Sequence, residues 1–480
     1  MLNVEKYKPT IGLEIHAEVK TKTKMFCSCK NDTDEKRPNT NICPVCMGHP
    51  GTLPVINKEA VKQVLRVGIA VNGTLADWSE FDRKNYFYPD IPKSYQISQY
   101  KYPLVSGGEL SGVKLTRIHL EEDTAKSSHS SKEASLTVKE GEGDYSLVDF
   151  NRAGVPLMEL VTEPVIHSSA EVSAFGEELQ RLLQYLGVSD ANMEKGEMRL
   201  EANISVSRED KLGTKVEVKN LNSFRAAERA VDYEIKRQIS VLEAGEKVKQ
   251  ETRGWDENKQ TTFSQRSKED SHDYRYFPDP DLPKLKLSDL PEFDLAVLKS
   301  GVKETPLEKR ERFKEKYNIK DSDIAFYVSN TKLGTLFEEV AASFDDKKDI
   351  QLLSNYIVSD ISSLGEGGLS IKGDHLALLI KMFISGEVSS RGVKDILVGL
   401  VAGEGEPRTI AEKRGLFQKS NEDELAKVAG EIIAQNLAVV SDYKNGKLSA
   451  LQFLVGQGMK ATKGAANPQV IKAVFEKLLA

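Results

Sequence analysis

Glu14, His16 and Glu18 stand two residues apart in the stretch Ile11-Gly-Leu-Glu-Ile-His-Ala-Glu-Val19. Ile11, Leu13, Ile15, Ala17 and Val19 alternate with them. Side chains on a strand point to opposite faces with period two. The apolar five therefore share one face, and the two carboxylates and the imidazole share the other, with Gly12 leaving space beside them. Two acids flanking an imidazole make a surface for a divalent cation or for phosphoryl transfer. The plain alternative is a solvated face that carries Glu and His.

The pattern recurs, which favours the chemical reading. Arg199, Glu201, Asn203 and Ser205 alternate with Leu200, Ala202, Ile204 and Val206. Lys215-Val-Glu-Val-Lys219 repeats it. Leu157, Glu159, Val161 and Glu163 fall on one side of a fourth candidate strand. A fifth ends at Leu120-Glu-Glu-Asp123, where alternation alone leaves Glu121 and Glu122 as alternatives. Such strands predict an antiparallel sheet with one face on helices and one face armed. On that face acids would hold Mg²⁺, and Arg and Lys would hold phosphates.

All four cysteines fall between positions 27 and 46, as Cys27-Ser-Cys29 and Cys43-Pro-Val-Cys46. A C-x-C and a C-x-x-C around a polar loop fit a closed structural Cys₄ zinc site. Disulfides are disfavoured in a reducing compartment, and buried free thiols are the other alternative. With every cysteine committed, none remains as a nucleophile. No Gly-x-Ser-x-Gly elbow is present.

No phosphate-cradling G-x-x-x-x-G-K-[ST] or G-x-G-x-x-G occurs, so a nucleotide site must rely on side chains. The segment from Asp82 to Gln99 joins Arg83, Lys84 and Lys93 to Tyr86, Phe87, Tyr88 and Tyr95. Asp273-Tyr-Arg-Tyr-Phe-Pro278 repeats the chemistry around Arg275. Aromatics can stack on a base while cations hold phosphates. With Arg199 and Lys219 from the strands, these are the candidate nucleotide ligands. The alternative is a packed loop whose rings are core.

These residues need a scaffold. The chain has 480 residues, 39% hydrophobic and 29% charged, which predicts several domains and a real core. It has no run of 18 apolar residues, so no membrane span is expected. Residues 1–8 are polar and lead straight into a strand, so no signal peptide is expected and the compartment is the cytoplasm. Net charge is −6, yet residues 441–480 carry +4 and the rest −10. A basic tail on an acidic body suits local contact with a phosphate backbone; a lysine-covered helical surface is the plain alternative. Residues 127–135 are serine-rich and predict a hairpin loop. Five of the 17 prolines lie between Pro278 and Pro306 and mark the end of the sheet domain. Helical periodicity follows to about residue 402, and Gly403-Glu-Gly-Glu-Pro407 breaks it. A last helix sets Val470, Ile471, Val474, Phe475, Leu478 and Leu479 on one stripe. The expected fold class is α+β: a sheet domain over 1–292, a helical domain over 293–402 and a helical tail over 403–480.

Several longer motifs resemble one family. They are Ile11-Gly-Leu-Glu-Ile-His16, Phe81-Asp-Arg-Lys-Asn-Tyr-Phe-Tyr-Pro-Asp90, Tyr95-Gln-Ile-Ser-Gln99, His119-Leu-Glu-Glu-Asp123, Asp149-Phe-Asn-Arg152, Lys219-Asn-Leu-Asn-Ser-Phe224 and Asp273-Tyr-Arg-Tyr-Phe-Pro278. In this order they resemble the B subunit of aspartyl/glutamyl-tRNA(Asn/Gln) amidotransferase, of the bacterial or organellar type. The resemblance runs from residue 9 to the end. It implies a glutamine-synthetase-like cradle, a helical domain and a tRNA-binding tail. It implies that ATP phosphorylates the side-chain carboxylate of Glu or Asp misacylated on tRNA(Gln) or tRNA(Asn), and that ammonia displaces phosphate. It implies an amidase A subunit and a small C subunit as partners, and no membrane. Carried over by motif, the Mg²⁺ ligands are His16, Glu122 and Glu159, with Glu14 in or beside that shell. The four cysteines are then a subtype feature.

Two rival readings have different signatures. A free-standing glutamine-synthetase-like ligase on a small acid needs neither helical modules nor a basic tail. A non-catalytic zinc and RNA-binding module does not need Glu14, His16, Glu122 and Glu159 on one cavity.

Overall fold

The computed structural model describes residues 6–129, 146–267, 273–302, 304–418, 422–462 and 466–479. They form two compact units, 1–306 and 307–480.

The first unit is built on a ten-stranded sheet. Its main strands are β1 (Lys8–Glu18), β2 (Val113–Glu122), β3 (Pro156–Thr162), β4 (Met198–Ser207), β5 (Val216–Leu221), β6 (Glu251–Asp256) and β7 (Thr261–Ser267). Their order is β7-β6-β5-β4-β1-β3-β2, continued by the short strands Val105–Ser106 and Thr74–Leu75. The strand that opens the chain thus lies in the middle of the sheet. Pairing is antiparallel except between β5 and β6, which run parallel. The expected antiparallel sheet is present, with one parallel pair where α3 (Phe224–Glu243) intervenes, since parallel neighbours need such a crossover.

The alternation decides the layers. Ile11, Leu13, Ile15 and Ala17 of β1, Met158 and Leu160 of β3, and Leu200, Ala202 and Ile204 of β4 are all buried in one core. Helices α1 (Lys58–Ala70), α2 (Ser169–Tyr185) and α3 add Val64, Phe175, Leu179, Val231 and Ile239 to it. Ser168 and Ser223 cap α2 and α3 by accepting from Glu171 N and Ala226 N. Gly176 lets the two helices close: a Cβ there would meet the Phe224 ring at 2.7 Å. Each fully buried Leu or Ile contributes about 1.5–3 kcal/mol, so the armed face rests on a rigid layer.

The flanks of the serine-rich segment, Lys126–His129 and Ser146–Asp149, pair antiparallel; residues 130–135 lie outside the described ones. The sheet unit extends past residue 292, because Phe293 and Leu298 belong to its core.

The second unit is helical throughout and holds two apolar cores, one spanning Phe313 to Ala411 and one spanning Leu425 to Leu479. The glycine break is real: Gly403 and Gly405 have φ +73° and +120°. It is not the core boundary, however. Helix Pro407–Arg414 follows it and buries Ile410 and Ala411 in the earlier core. The last helix, Pro468–Leu479, buries Ile471, Val474, Phe475 and Leu479, while Leu478 is exposed. Among the described residues, no helix is long and apolar enough to cross a membrane.

Candidate active site

The sheet register aligns four side chains in one row: His119 of β2, Glu159 of β3, His16 of β1 and Arg199 of β4. Neighbouring strands lie about 4.8 Å apart, so His119, Glu159 and His16 meet, while Arg199 turns to Asp123. His16 Nε2 is 3.4 Å from Glu159 Oε2, 3.6 Å from Glu121 Oε1 and 3.8 Å from Glu14 Oε1. His119 Nε2 lies 3.3 Å from the same Glu159 oxygen. Arg117 Nη2 donates to Glu159 Oε1 at 3.3 Å. Ser98 Oγ donates to Glu121 Oε2 at 3.2 Å.

Electrostatics follow from crowding acids around one imidazole. Burial opposes charge on His16, but the hydrogen bond to Glu159 and the carboxylates of Glu121, Glu159 and Glu14 outweigh it and raise its pKa to about 9. Burial also opposes ionisation of Glu159, yet His119 and His16 hold it well below the usual carboxylate range. Burial, then the Glu159 charge, pushes Glu14 up to about 6. Oxygen donors with an imidazole suit a hard divalent cation. Both Glu14–His16–Glu159 and His119–Glu121–Glu159 have ligand atoms within 4.8 Å of one another. Glu14, Glu201 and Glu217 form a further acidic group alongside.

Glu122 is not in this cluster. It shares a face with Ile118 and Leu120, on the core side, where Lys93 Nζ sits 2.6 Å away and Ile97 N donates at 2.9 Å. There it lines a cavity of about 90 Å³ with Phe26, Cys27, Cys46 and Gly154. The structure thus places Glu121, not Glu122, beside His16. Arg117 and His119 were missed for a related reason. The register slips between Val161 and Thr162, opposite Arg117 and Leu115. Buried Leu115 and buried Ile118 therefore stand three apart, and simple alternation fails. The apolar pair Ile118 and Leu120 was the signal that assigns Glu121 to the armed face.

The six expected phosphate ligands divide. The strand Asp82–Asn85 pairs with Tyr95–Ser98 and Phe277–Pro278 in a small sheet, bringing the two aromatic segments together. Lys84 is half-buried there, 5.1 Å from the centre of the Tyr274 ring. Burial opposes its charge, but Glu121, Tyr276 and Glu159 raise its pKa. Lys219 lies on the armed face, 2.8 Å from Glu201 and 3.8 Å from Glu217. Arg199 is paired with Asp123 and donates to Gly196 O. Arg83 alternates away from Lys84. It is bound by Asp279 at 2.9 Å and Asp281 at 2.8 Å, and packs over Tyr95, so it braces the small sheet. Lys93 is engaged by Glu122, and Arg275 is exposed.

The four cysteine sulfurs lie within 4.8 Å of one another, an arrangement that fits tetrahedral zinc. Hydrogen bonding from Cys27 lowers the Cys46 pKa to about 5 against the effect of burial. The loop between the cysteine pairs folds back because Asn151 Oδ1 accepts from Thr40 N and Asn41 N, both at 2.8 Å. Asn151 Nδ2 donates to Arg37 O. Arg152 holds Thr124 O and Ala125 O. The Asp149–Arg152 motif thus ties the cysteine loop to the turn after β2.

Residues 9–290 match the GatB/GatE catalytic domain, and residues 335–479 match the GatB domain. The chain is 44% identical to the B subunit of the aspartyl/glutamyl-tRNA(Asn/Gln) amidotransferase of Thermoanaerobacter pseudethanolicus, over 99% of both chains. It is 44% identical to that of Thermotoga maritima, over 99% of both, and 40% identical to that of Gloeothece citriformis, over 98% of both. By its catalytic-domain match and its full-length identity, the chain belongs to the family of aspartyl/glutamyl-tRNA(Asn/Gln) amidotransferase B subunits.

Proposed function

We propose that this chain is the kinase and transamidase subunit of a tRNA-dependent amidotransferase. It phosphorylates the side-chain carboxylate of Glu on tRNA(Gln), or Asp on tRNA(Asn), with ATP, and then lets ammonia displace phosphate. The observation that carries this reading is the convergence of His16, Glu121 and Glu159 with Lys84 and Arg117 on one armed sheet face. A carboxylate is a poor acyl donor because its leaving group would be oxide; phosphorylation makes the leaving group phosphate.

His16, Glu121 and Glu159 fit Mg²⁺, with Glu14 beside them. Bound there, Mg²⁺ would neutralise charge on the transferring phosphoryl group. Lys84 adds a fixed positive charge over the same carboxylates. Arg117 keeps Glu159 in place and presents a guanidinium at the rim, a suitable partner for phosphoryl oxygens. Lys219 and the Glu14–Glu201–Glu217 group supply a second polar zone for the nucleotide. Arg199 is a bracing residue, since Asp123 already holds it.

The four cysteines fit a structural zinc, and none lies in the His16 cluster. The ammonia therefore comes from a partner amidase subunit, with a small C subunit completing a cytoplasmic assembly. The test is ammonia-dependent amidation of Glu-tRNA(Gln) and Asp-tRNA(Asn) by the assembled subunits. The reading requires ATP cleavage that depends on the misacylated tRNA. Amidation without ATP would overturn it.

A further inference from the structure

We infer that His119 is a positioning residue that fixes the Glu159 carboxylate for its cation-binding role. The inference rests on the reading that His16, Glu121 and Glu159 hold a divalent cation.

His119 is 3% exposed and sits directly opposite Glu159 in the register of β2 and β3. Its Nε2 is 3.3 Å from Glu159 Oε2. Its Nδ1 is buried and has no partner among the described residues. Among those residues, the polar interaction of this imidazole is therefore with Glu159. An apolar residue would fill the site without leaving a nitrogen unsatisfied, so packing alone does not explain a histidine here. A buried glutamate, with three side-chain torsions, can turn its two oxygens several ways. Glu159 is constrained at both: Arg117 Nη2 approaches Oε1 at 3.3 Å, and His119 and His16 share Oε2. Were His16 to turn to a cation, His119 and Arg117 would still hold the carboxylate. Partners of this kind orient ligand carboxylates, and their loss commonly costs 10–100-fold in metal affinity.

Two variants separate positioning from packing. Gln carries a donor at the position of Nε2, so His119→Gln keeps the hydrogen bond. His119→Asn stays polar but is too short to reach Glu159. Binding of Mn²⁺ alone to the full chain is measured by loss of the free Mn²⁺ electron paramagnetic resonance signal, with no ATP or tRNA present. The inference expects His119→Gln within about threefold of the wild type and His119→Asn weaker by about tenfold or more. A smaller loss in His119→Asn, or a loss beyond about threefold in His119→Gln, overturns it. If His119→Asn does not fold, His119→Leu, which fills the site without a donor, is read by the same tenfold threshold. A wild-type chain that binds no Mn²⁺ overturns the cation reading as well. A wild type that binds, with both variants unchanged, overturns the role of His119 alone.

Discussion

Glu121 and Glu122 are consecutive in the chain and serve opposite sides of one sheet. Glu121 Oε1 stands 3.6 Å from His16 Nε2, whereas the Glu122 carboxylate is 2.6 Å from Lys93 Nζ on the core side. Period-two alternation forces this division of labour between two identical side chains.

The two carboxylates therefore respond differently to the same isosteric change. Glu121→Gln removes a proposed ligand and should weaken Mn²⁺ binding at least 100-fold, on the order of 3 kcal/mol at about 1.4 kcal/mol per decade, with little change in stability. Glu122→Gln leaves the Lys93 charge uncompensated in a buried setting and should cost about 3 kcal/mol of stability, with Mn²⁺ affinity kept. Metal titration and urea unfolding of the two variants distinguish them. Equal effects of the two substitutions on Mn²⁺ affinity would contradict the assignment.

Metal binding should release a proton. The His16 pKa is raised to about 9, so the metal-free site is protonated at neutral pH, and a ligating imidazole must be neutral. Below about pH 9 affinity should rise with pH by up to about tenfold per unit, and flatten above it. Calorimetry in buffers of different ionisation enthalpy counts the proton. No proton release at pH 7 would exclude His16 as a ligand.

How far the sequence revealed this site can be judged residue by residue. The placement of Glu14 and His16 was legible because β1 is central and pairs with both neighbours without a register shift, so alternation maps directly onto faces. The placement of Glu159 was legible because it precedes the slip at Val161 and Thr162, where β3 still alternates regularly. Arg117 and His119 were hidden by the register slip, which changes which parity faces the core. The ion pairs of Arg83 were not legible because its partners, Asp279 and Asp281, lie nearly two hundred residues away, and no local pattern reports such a contact. The domain edges moved for a similar reason: Phe293, Leu298, Ile410 and Ala411 were assigned by tertiary packing, not by the proline and glycine punctuation near them.

Arg83 is accordingly expected to be structural. Arg83→Ala leaves buried Asp279 without its cation and should lower stability by about 2–4 kcal/mol. The KM for ATP of the assembled enzyme should change less than about threefold. A large rise in that KM with an unchanged melting temperature would restore Arg83 as a nucleotide ligand.

Zinc should hold the cysteine loop. Elemental analysis should find one zinc per chain, lost in Cys46→Ser. Chelation should lower the melting temperature and expose the 27–46 loop to proteolysis, because the structural metal contributes folding energy. Four titratable thiols in a chain that carries no zinc would remove this element of the account.

The tail should serve tRNA and not chemistry. Its last forty residues carry +4, with Lys444 and Lys447 flanking the turn at Gly446, Lys460 in the last turn of the helix Leu448–Ala461 and Lys463 outside the described residues. Because Ile410 and Ala411 belong to the preceding core, a truncation should begin after residue 418, not at 403. Removing residues 419–480 should weaken tRNA binding and flatten its salt dependence, each lost phosphate contact lowering the log–log slope by about 0.7–0.9. Mn²⁺ affinity of the sheet unit should be unchanged. Equal tRNA affinity and equal slope would mean that the tail only docks a partner.

The most direct test is phosphate release from γ-labelled ATP by the assembled subunits, with and without misacylated tRNA, comparing the wild type with Glu121→Gln and Glu122→Gln. The account predicts release that requires the misacylated tRNA, falls by at least 100-fold in Glu121→Gln, on the order of 3 kcal/mol in the barrier, and persists in folded Glu122→Gln. Release that survives Glu121→Gln at the wild-type rate, or that ignores the tRNA, would contradict it.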